Sequence, residues 1–312
     1  MRWVSFVDTQ LTERVGLVVG ESVHALAPGR PLVSLLGDDG EALERAGELA
    51  RSQPAEVLAL ESLTLLPPIP RPPSFRDFYA FEQHARAGRR SRGQDLPNEW
   101  YEIPVFYFSN PAALAGHGAP IRMAPGTEMM DFEVEVAAVI GAGGSDISPE
   151  DAGRCIVGYM VLNDWSARDL QRKEMAVGLG PAKGKDFAST MGPCLVTADE
   201  LEPYRKGAAF DLEMTAAVNG AEYTRGNLAD IYWSFEEMVA FASRGTRLQP
   251  GDIIGSGTCA TGCIVELSQT FGPERFPWLR PGDRVEVAVQ HLGRISNVIH
   301  EGSAPHALRQ RA

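Results

Sequence analysis

The segment Asp131-Phe-Glu-Val-Glu-Val136 constrains this chain more than any other stretch. Side chains alternate faces along a strand. Asp131, Glu133 and Glu135 therefore fall on one face, and Phe132, Val134 and Val136 turn the other way, into a core. Three carboxylates so close together repel unless positive charge sits over them. Two readings follow. The acids form the solvated outer face of an antiparallel sheet, or they are oxygen ligands for a hard divalent cation such as Mg²⁺, Mn²⁺ or Ca²⁺. The six histidines are dispersed and offer no His-rich zinc or iron pattern.

The surroundings of that strand read as more β structure. Glycine (32) and proline (22) are plentiful, which predicts many turns. Residues 3–7 alternate, and RVGLVVGESVHALAP (14–28) reads as a hairpin turning at Gly20 and Glu21. The stretch 38–51 has helical spacing, with Leu43, Ala46 and Leu49 on one face. PPIPRPP at 67–73 is a stiff crossing, and it predicts a boundary between a small N-terminal β-rich domain, 1–66, and a main domain, 67–312. Ser74 is the expected cap of a helix that runs to about Gly93. Later candidate strands include VFYFSN, CIVGYMVLN, GPCLVTADEL, FDLEMTAAVNG, DIIGSG, CIVELS and RVEVAVQHLG. Residues 235–243 read as a helix with Phe235, Met238, Val239 and Ala242 together. The fold class expected is α+β, mostly β.

Charge narrows the partners. Lys plus Arg total 29 against 41 acids, a net charge of −12. No nucleic-acid partner is expected, since backbone phosphate binding needs a basic face; the Arg86, Arg89, Arg90 and Arg92 run reads as a solvated helix face. A small anionic substrate remains compatible, because a bound metal reverses the local field. Cys155, Cys194, Cys259 and Cys263 are too few for a disulfide framework. They read as reduced, buried small residues, with no second Cys/His pair beside Cys259 and Cys263 to complete a zinc site. The first residues are charged where a signal peptide needs an apolar core. No run approaches the roughly 18 apolar residues of a membrane span. The expectation is a soluble cytoplasmic protein with no membrane partner.

Four further stretches can carry chemistry. In Asn163-Asp-Trp-Ser-Ala-Arg-Asp-Leu-Gln171, Asp164 follows an apolar strand, and helical spacing would put Asp164, Arg168 and Gln171 on one face. That set suits a metal with an oxyanion beside it, or equally a helix cap with a surface ion pair. Lys185, in Gly184-Lys-Asp-Phe187, reads as a reach toward a substrate carbonyl or as a solvated loop charge. His84 ends Asp77-Phe-Tyr-Ala-Phe-Glu-Gln-His84 and is a base or a structural histidine. Glu266 sits inside an apolar strand pattern downstream of Ser256-Gly-Thr258 and needs a partner if buried; a histidine is a natural one.

Four ordered blocks resemble the fumarylacetoacetate hydrolase family: DFYAFEQH (77–84); DFEVEVAAVIG (131–141) with NDWSARDLQ (163–171); GKDF (184–187); and SGT (256–258) followed by VELS (265–268). The resemblance covers roughly residues 70–300. It implies a mixed β-roll main domain, usually in a homodimer. It implies Glu133, Glu135 and Asp164 as metal ligands, with Asp77 as a fourth in the hydrolases proper, and a divalent cation, Mg²⁺ foremost. It implies His84 as catalytic base, Glu266 as the acid that orients it, and Arg168, Gln171 and Lys185 as the groups that polarise the substrate. Tyr79 and Thr258 match substrate-contact positions.

The chain also departs from the family pattern. The position of an active-site tyrosine falls here at Met175 or Ala176, and GRRSRGQDLPNEWYEIP (88–104) is a long polar tract, expected to act with the preceding helix as a mobile lid. The reaction expected is hydrolytic C–C cleavage of a small anionic β-diketo or acylpyruvate-type acid, with His84 activating water. Decarboxylation of a 2-oxo acid and muconate-type isomerisation are the alternatives within the family. A non-catalytic β-rich binding protein is the alternative outside it.

Overall fold

Residues Arg2–Val7, Glu13–Val19 and Ser22–Ala25 form consecutive antiparallel strands, with Val19 opposite Ser22 across the expected Gly20–Glu21 turn. The computed structural model describes residues 1–90 and 93–308. Ser91 and Arg92, inside the tract read as a lid, lie outside the described residues, as do 309–312.

Arg2–Val7 pairs with Ser189–Thr197 and enters a 12-stranded sheet, counted among the described residues. The sheet continues through Ile156–Asp164, Val134–Ile140, Ile253–Gly255, Phe75–Phe78 and Phe106–Phe108. A 5-stranded sheet, again among the described residues, holds Glu213–Val218, Ala221–Asn227, Arg284–Val289, Gly293–His300 and Ile121–Arg122. The helices are α1 (Glu41–Ser52), α2 (Glu82–Arg90), α3 (Pro149–Cys155), α4 (Arg168–Ala176), α5 (Phe235–Ser243) and α6 (Ile264–Phe271). No described helix is long and apolar enough to cross a membrane.

The Val134–Ile140 strand is buried on both faces. Val134, Val136, Ala138 and Ile140 join a core with α5 and the smaller sheet, and Ala137 and Val139 join a second core with Trp3, Leu17, Leu43 and Ala50. A strand covered twice reads as a continuous apolar run. The acids therefore occupy only its N-terminal end.

Four sequence-based expectations need correction. Ser74 does not cap a helix: Phe75–Phe78 is a strand, parallel to Ile253–Gly255, and α2 begins only at Glu82. Ser74 Oγ instead donates to Asp252 Oδ1 at 2.7 Å. The sheet partner, far away in sequence, overrides local helical spacing. Glu266 is in helix α6, not a strand. A short apolar run does not distinguish the two by its periodicity. On α1, Leu43, Ala46, Gly47 and Ala50 form the buried face, and Leu49 is 51% exposed. Cys155 is only half-buried, whereas Cys194, Cys259 and Cys263 are buried and all four are free.

Candidate active site

Sheet order places the acids side by side. Asp77 pairs with Gly255 on one side and Tyr107 on the other. Gly255 precedes Thr258 by three residues and sits next to the Val134–Ile140 strand, which carries Glu135. A Cβ at Gly255 would lie 2.3 Å from Asp77 Oδ1, so only glycine leaves room for that carboxylate. Asp164 ends the next strand, opposite Ser189. Glu133 lies just ahead of the Val134–Ile140 strand. Glu133 is 3% exposed and Glu135 0%, which excludes a solvated outer face.

Cations organise this cluster. Lys185 Nζ donates to Asp164 Oδ2 at 2.7 Å and also to Glu133 Oε2. Arg168, the first residue of α4, donates from Nη2 to Glu133 Oε1 at 2.7 Å. It also donates from Nε to Asp131 Oδ2 at 2.8 Å and from Nη1 to Gln171 Oε1 at 3.1 Å. Asp164 thus shares no helical turn with Arg168 and Gln171, since it belongs to the preceding strand. The Lys185 loop reaches the site because Gly184 passes α4 closely: a Cβ there would lie 2.8 Å from Gln171. Two groups not anticipated from the sequence complete the set. The Tyr107 hydroxyl donates to Asp164 Oδ2, and Ser189 Oγ donates to Asp164 Oδ1 at 2.8 Å. A Tyr in a short apolar run carries no signal of this role.

Asp131 does not join the acid cluster. Its pairing with Ser166 turns its carboxylate to the start of α6. There it accepts from Ile264 N–H at 2.6 Å and Val265 N–H at 3.1 Å. It is a buried helix cap supplied from outside the helix, and it braces Arg168 as well.

The carboxyl groups differ sharply in proton affinity. Burial, and next the charge of Asp164, push Asp77 up to about 8. Burial, then Asp77, holds Glu135 well above the carboxylate range. Burial pushes Glu133 the same way, yet Lys185 and then Arg168 outweigh it and hold Glu133 low. Burial pushes Lys185 down, and Asp164 and Glu133 more than reverse that, keeping it charged. Asp77 Oδ1 and Glu135 Oε2 are buried and accept from no donor group among the described residues, and the two carboxyl groups lie within hydrogen-bond reach of one another. Unsatisfied buried acid oxygens carry a large desolvation cost.

His84 on α2 lines the same cavity and meets Glu266 on α6. His84 Nδ1 is hydrogen-bonded to Glu266 Oε1, and Thr261 N–H donates to Glu266 Oε2 at 2.9 Å. Tyr79 packs edge-on against the His84 ring, with centroids 5.2 Å apart, and its hydroxyl donates to Ala85 O at 3.3 Å. Thr258 Oγ1 donates to Glu135 Oε1 at 3.3 Å. The Cys263 thiol donates to Glu266 Oε1 at 3.6 Å. A cavity of about 820 Å³ is lined by Asp77, Tyr79, His84, Tyr107, Glu133, Glu135, Arg168, Gln171, Lys185 and Thr258, among others. That volume suits a small molecule. The tract after α2 is anchored at its far end, where buried Trp100 donates to Tyr79 O at 2.9 Å.

Residues 74–300 match the model of the fumarylacetoacetate hydrolase C-terminal family. Oxaloacetate tautomerase YisK of Bacillus subtilis is 32% identical over 253 residues, which cover 78% of this chain and 75% of that protein. Bovine fumarylacetoacetase is 31% identical over 245 residues, and the chain spans only 58% of its length. Among solved structures, the fumarylacetoacetate hydrolase of Exiguobacterium antarcticum superposes with a TM-score of 0.73 at 25% identity, over 96% of this chain and 99% of that one. Maleylpyruvate hydrolase from Sphingobium sp., solved with manganese(II) and pyruvate, shares the fold at 23% identity, with a TM-score of 0.72 over 97% of this chain and 100% of that one.

Proposed function

This chain belongs to the fumarylacetoacetate hydrolase family, and we propose that it hydrolyses a C–C bond in a β-diketo or acylpyruvate-type acid. The observation that carries the reading is the pair of orphaned, buried carboxylate oxygens, Asp77 Oδ1 and Glu135 Oε2. Both residues line the cavity, as does His84, whose Nδ1 is hydrogen-bonded to Glu266. An all-carboxylate donor set fits a hard divalent cation. Asp77, Glu135, Glu133 and Asp164 would hold it. Glu133 Oε1 and Oε2 and Asp164 Oδ1 each accept one hydrogen bond and retain a further lone pair, whereas Asp164 Oδ2 accepts two, from Lys185 and Tyr107. Mg²⁺ is the first choice, with Mn²⁺ or Ca²⁺ as alternatives. When bound, the cation supplies a Lewis acid for the substrate oxygens and positive charge opposite the developing enolate.

The chain's own groups do the rest. With Nδ1–H donated to Glu266, His84 presents the lone pair of Nε2, which takes a proton from water. Glu266 holds the ring's orientation and is itself fixed by Thr261 N–H. Lys185 has three donors, two of them spent on Glu133 and Asp164, and the third stabilises the carbonyl oxygen as it gains charge. Arg168 and Gln171 fix the substrate's acid group, and Tyr79 and Thr258 line its path. The reading includes a homodimer and an N-terminal unit, residues 1–66, joined to a catalytic domain, residues 67–312.

A second reading rests on a specific likeness: the relative matched over 75% of its length is named an oxaloacetate tautomerase. There His84 would move a proton between carbon and oxygen of a 2-oxo acid, with no attacking water. Decarboxylation would draw on the same enolate stabilisation. Acylpyruvates, fumarylpyruvate and oxaloacetate, each assayed with Mg²⁺ or Mn²⁺ and with products identified, separate the readings. The expected result is two carboxylic acid products from an acylpyruvate. Keto–enol exchange or CO₂ release without such cleavage would contradict the hydrolase reading.

A further inference from the structure

At the cavity wall, where His84 faces the cavity, lies a second donor set of different chemistry. His84, Cys263 and Glu266 are all buried, and their ligand atoms lie within 4.8 Å of one another. Imidazole, thiol and carboxylate together form a borderline-to-soft set, unlike the all-oxygen cluster of Asp77, Glu133, Glu135 and Asp164. Zinc bonds of about 2.0–2.3 Å in a tetrahedron require ligand atoms about 3.3–3.7 Å apart. The Cys263 Sγ to Glu266 Oε1 separation is 3.6 Å. His84 Nδ1, now hydrogen-bonded to the same carboxylate oxygen, has to draw back to reach such a spacing. The three residues sit on α2 and at the start of α6, so a small shift between two helices supplies that movement. His84 and Val265 line the cavity, which gives an entry route and a source of water for the fourth position.

We propose that His84, Cys263 and Glu266 form an inhibitory site for a thiophilic divalent cation, zinc foremost, separate from the carboxylate site. Binding releases the Cys263 S–H proton to solvent. The ring stays neutral: its Nδ1 lone pair goes to the cation, and its one proton moves to Nε2. Nε2 then has no lone pair with which to accept a proton from water. Inhibition therefore follows from the tautomer alone, even with the substrate pocket unchanged. This consequence rests on the reading of His84 as base, whereas the binding itself does not.

The test uses the whole 312-residue chain loaded with Mn²⁺ and titrated with Cd²⁺, whose thiolate complexes absorb in the ultraviolet. The expected result is a saturable thiolate-to-cadmium band that persists when Mn²⁺ is in excess. The band is lost in Cys263→Ser and Cys263→Ala and retained in Cys155→Ser. Zn²⁺ should inhibit turnover by the wild type, and Cys263→Ser should require about 10–100-fold more Zn²⁺ for the same fractional inhibition. No band in the wild type, a band that excess Mn²⁺ removes, or a band undiminished in both Cys263 variants would overturn the site. A band lost in those variants, with wild-type turnover untouched by bound Zn²⁺, would support the site and contradict His84 as the base.

Discussion

At the scale of single residues, the proposed base role of His84 draws on the commitment of its Nδ1 to Glu266. General-base assistance is worth about 10²–10⁴-fold. His84→Ala should lower kcat for acylpyruvate hydrolysis by roughly that factor while leaving Mn²⁺ affinity, read by calorimetry, unchanged. A variant that hydrolyses as fast as the wild type would remove the dyad from the mechanism. Asp77 gives a pH dependence of stability. Its folded-state pKa is raised from 3.8 to about 8, by burial and then Asp164. For a carboxyl group raised on folding, the stabilising contribution is complete below 3.8 and is lost as pH climbs toward 8. Glu135, raised for the same kind of reason, acts in the same direction. Glu133 is depressed and acts oppositely, but its contribution is lost only as pH falls below its ordinary 4.5. Metal-free protein should therefore lose melting temperature between pH 4.5 and about 8, and added Mn²⁺ should restore progressively more of it, since a cation needs the ionised carboxylates. A gain from Mn²⁺ that is the same at both ends of that range would contradict the assignment.

At the scale of elements, α6 shows what local sequence reading misses. Glu266 is placed by a helix whose first N–H groups are capped by Asp131, far away in sequence. No residue next to Cys263 announces that cap, so the apolar run reads as a strand until the chain has folded. The same holds for Phe75–Phe78, made a strand by its parallel neighbour, and for Tyr107, brought to Asp164 by the sheet. What alternation could show, it did: Glu133 and Glu135 lie on one side, with Phe132, Val134 and Val136 in the core opposite. Asp131 ties α6, and so Glu266 and His84, to Arg168 and Glu133. Breaking a buried ion pair from one side costs about 3–5 kcal/mol. Asp131→Asn should lower unfolding stability on the order of 3 kcal/mol, because Arg168 keeps Glu133 as a partner. It should also lower kcat more than it raises KM. Denaturant midpoints at constant slope, read beside kinetics, check both; a variant as stable as the wild type would mean that the cap is not a strut.

At the scale of the whole molecule, one sheet carries the N-terminal strands, the acid cluster and the Asp77 strand, so the site's geometry depends on the fold as a unit. In the proposed reading, hydrolysis depends on a cation that Asp77, Glu133, Glu135 and Asp164 would hold. The most direct measurement strips divalent cations with chelator and then titrates Mn²⁺ back, following acylpyruvate cleavage and bound Mn²⁺ together in wild type and Glu135→Ala. Stripped wild type should be inactive, cleavage should return in proportion to one Mn²⁺ bound per chain, and Glu135→Ala should neither bind that ion with comparable affinity nor recover. Full cleavage by stripped protein, or a Glu135→Ala titration that overlays the wild type, would contradict it.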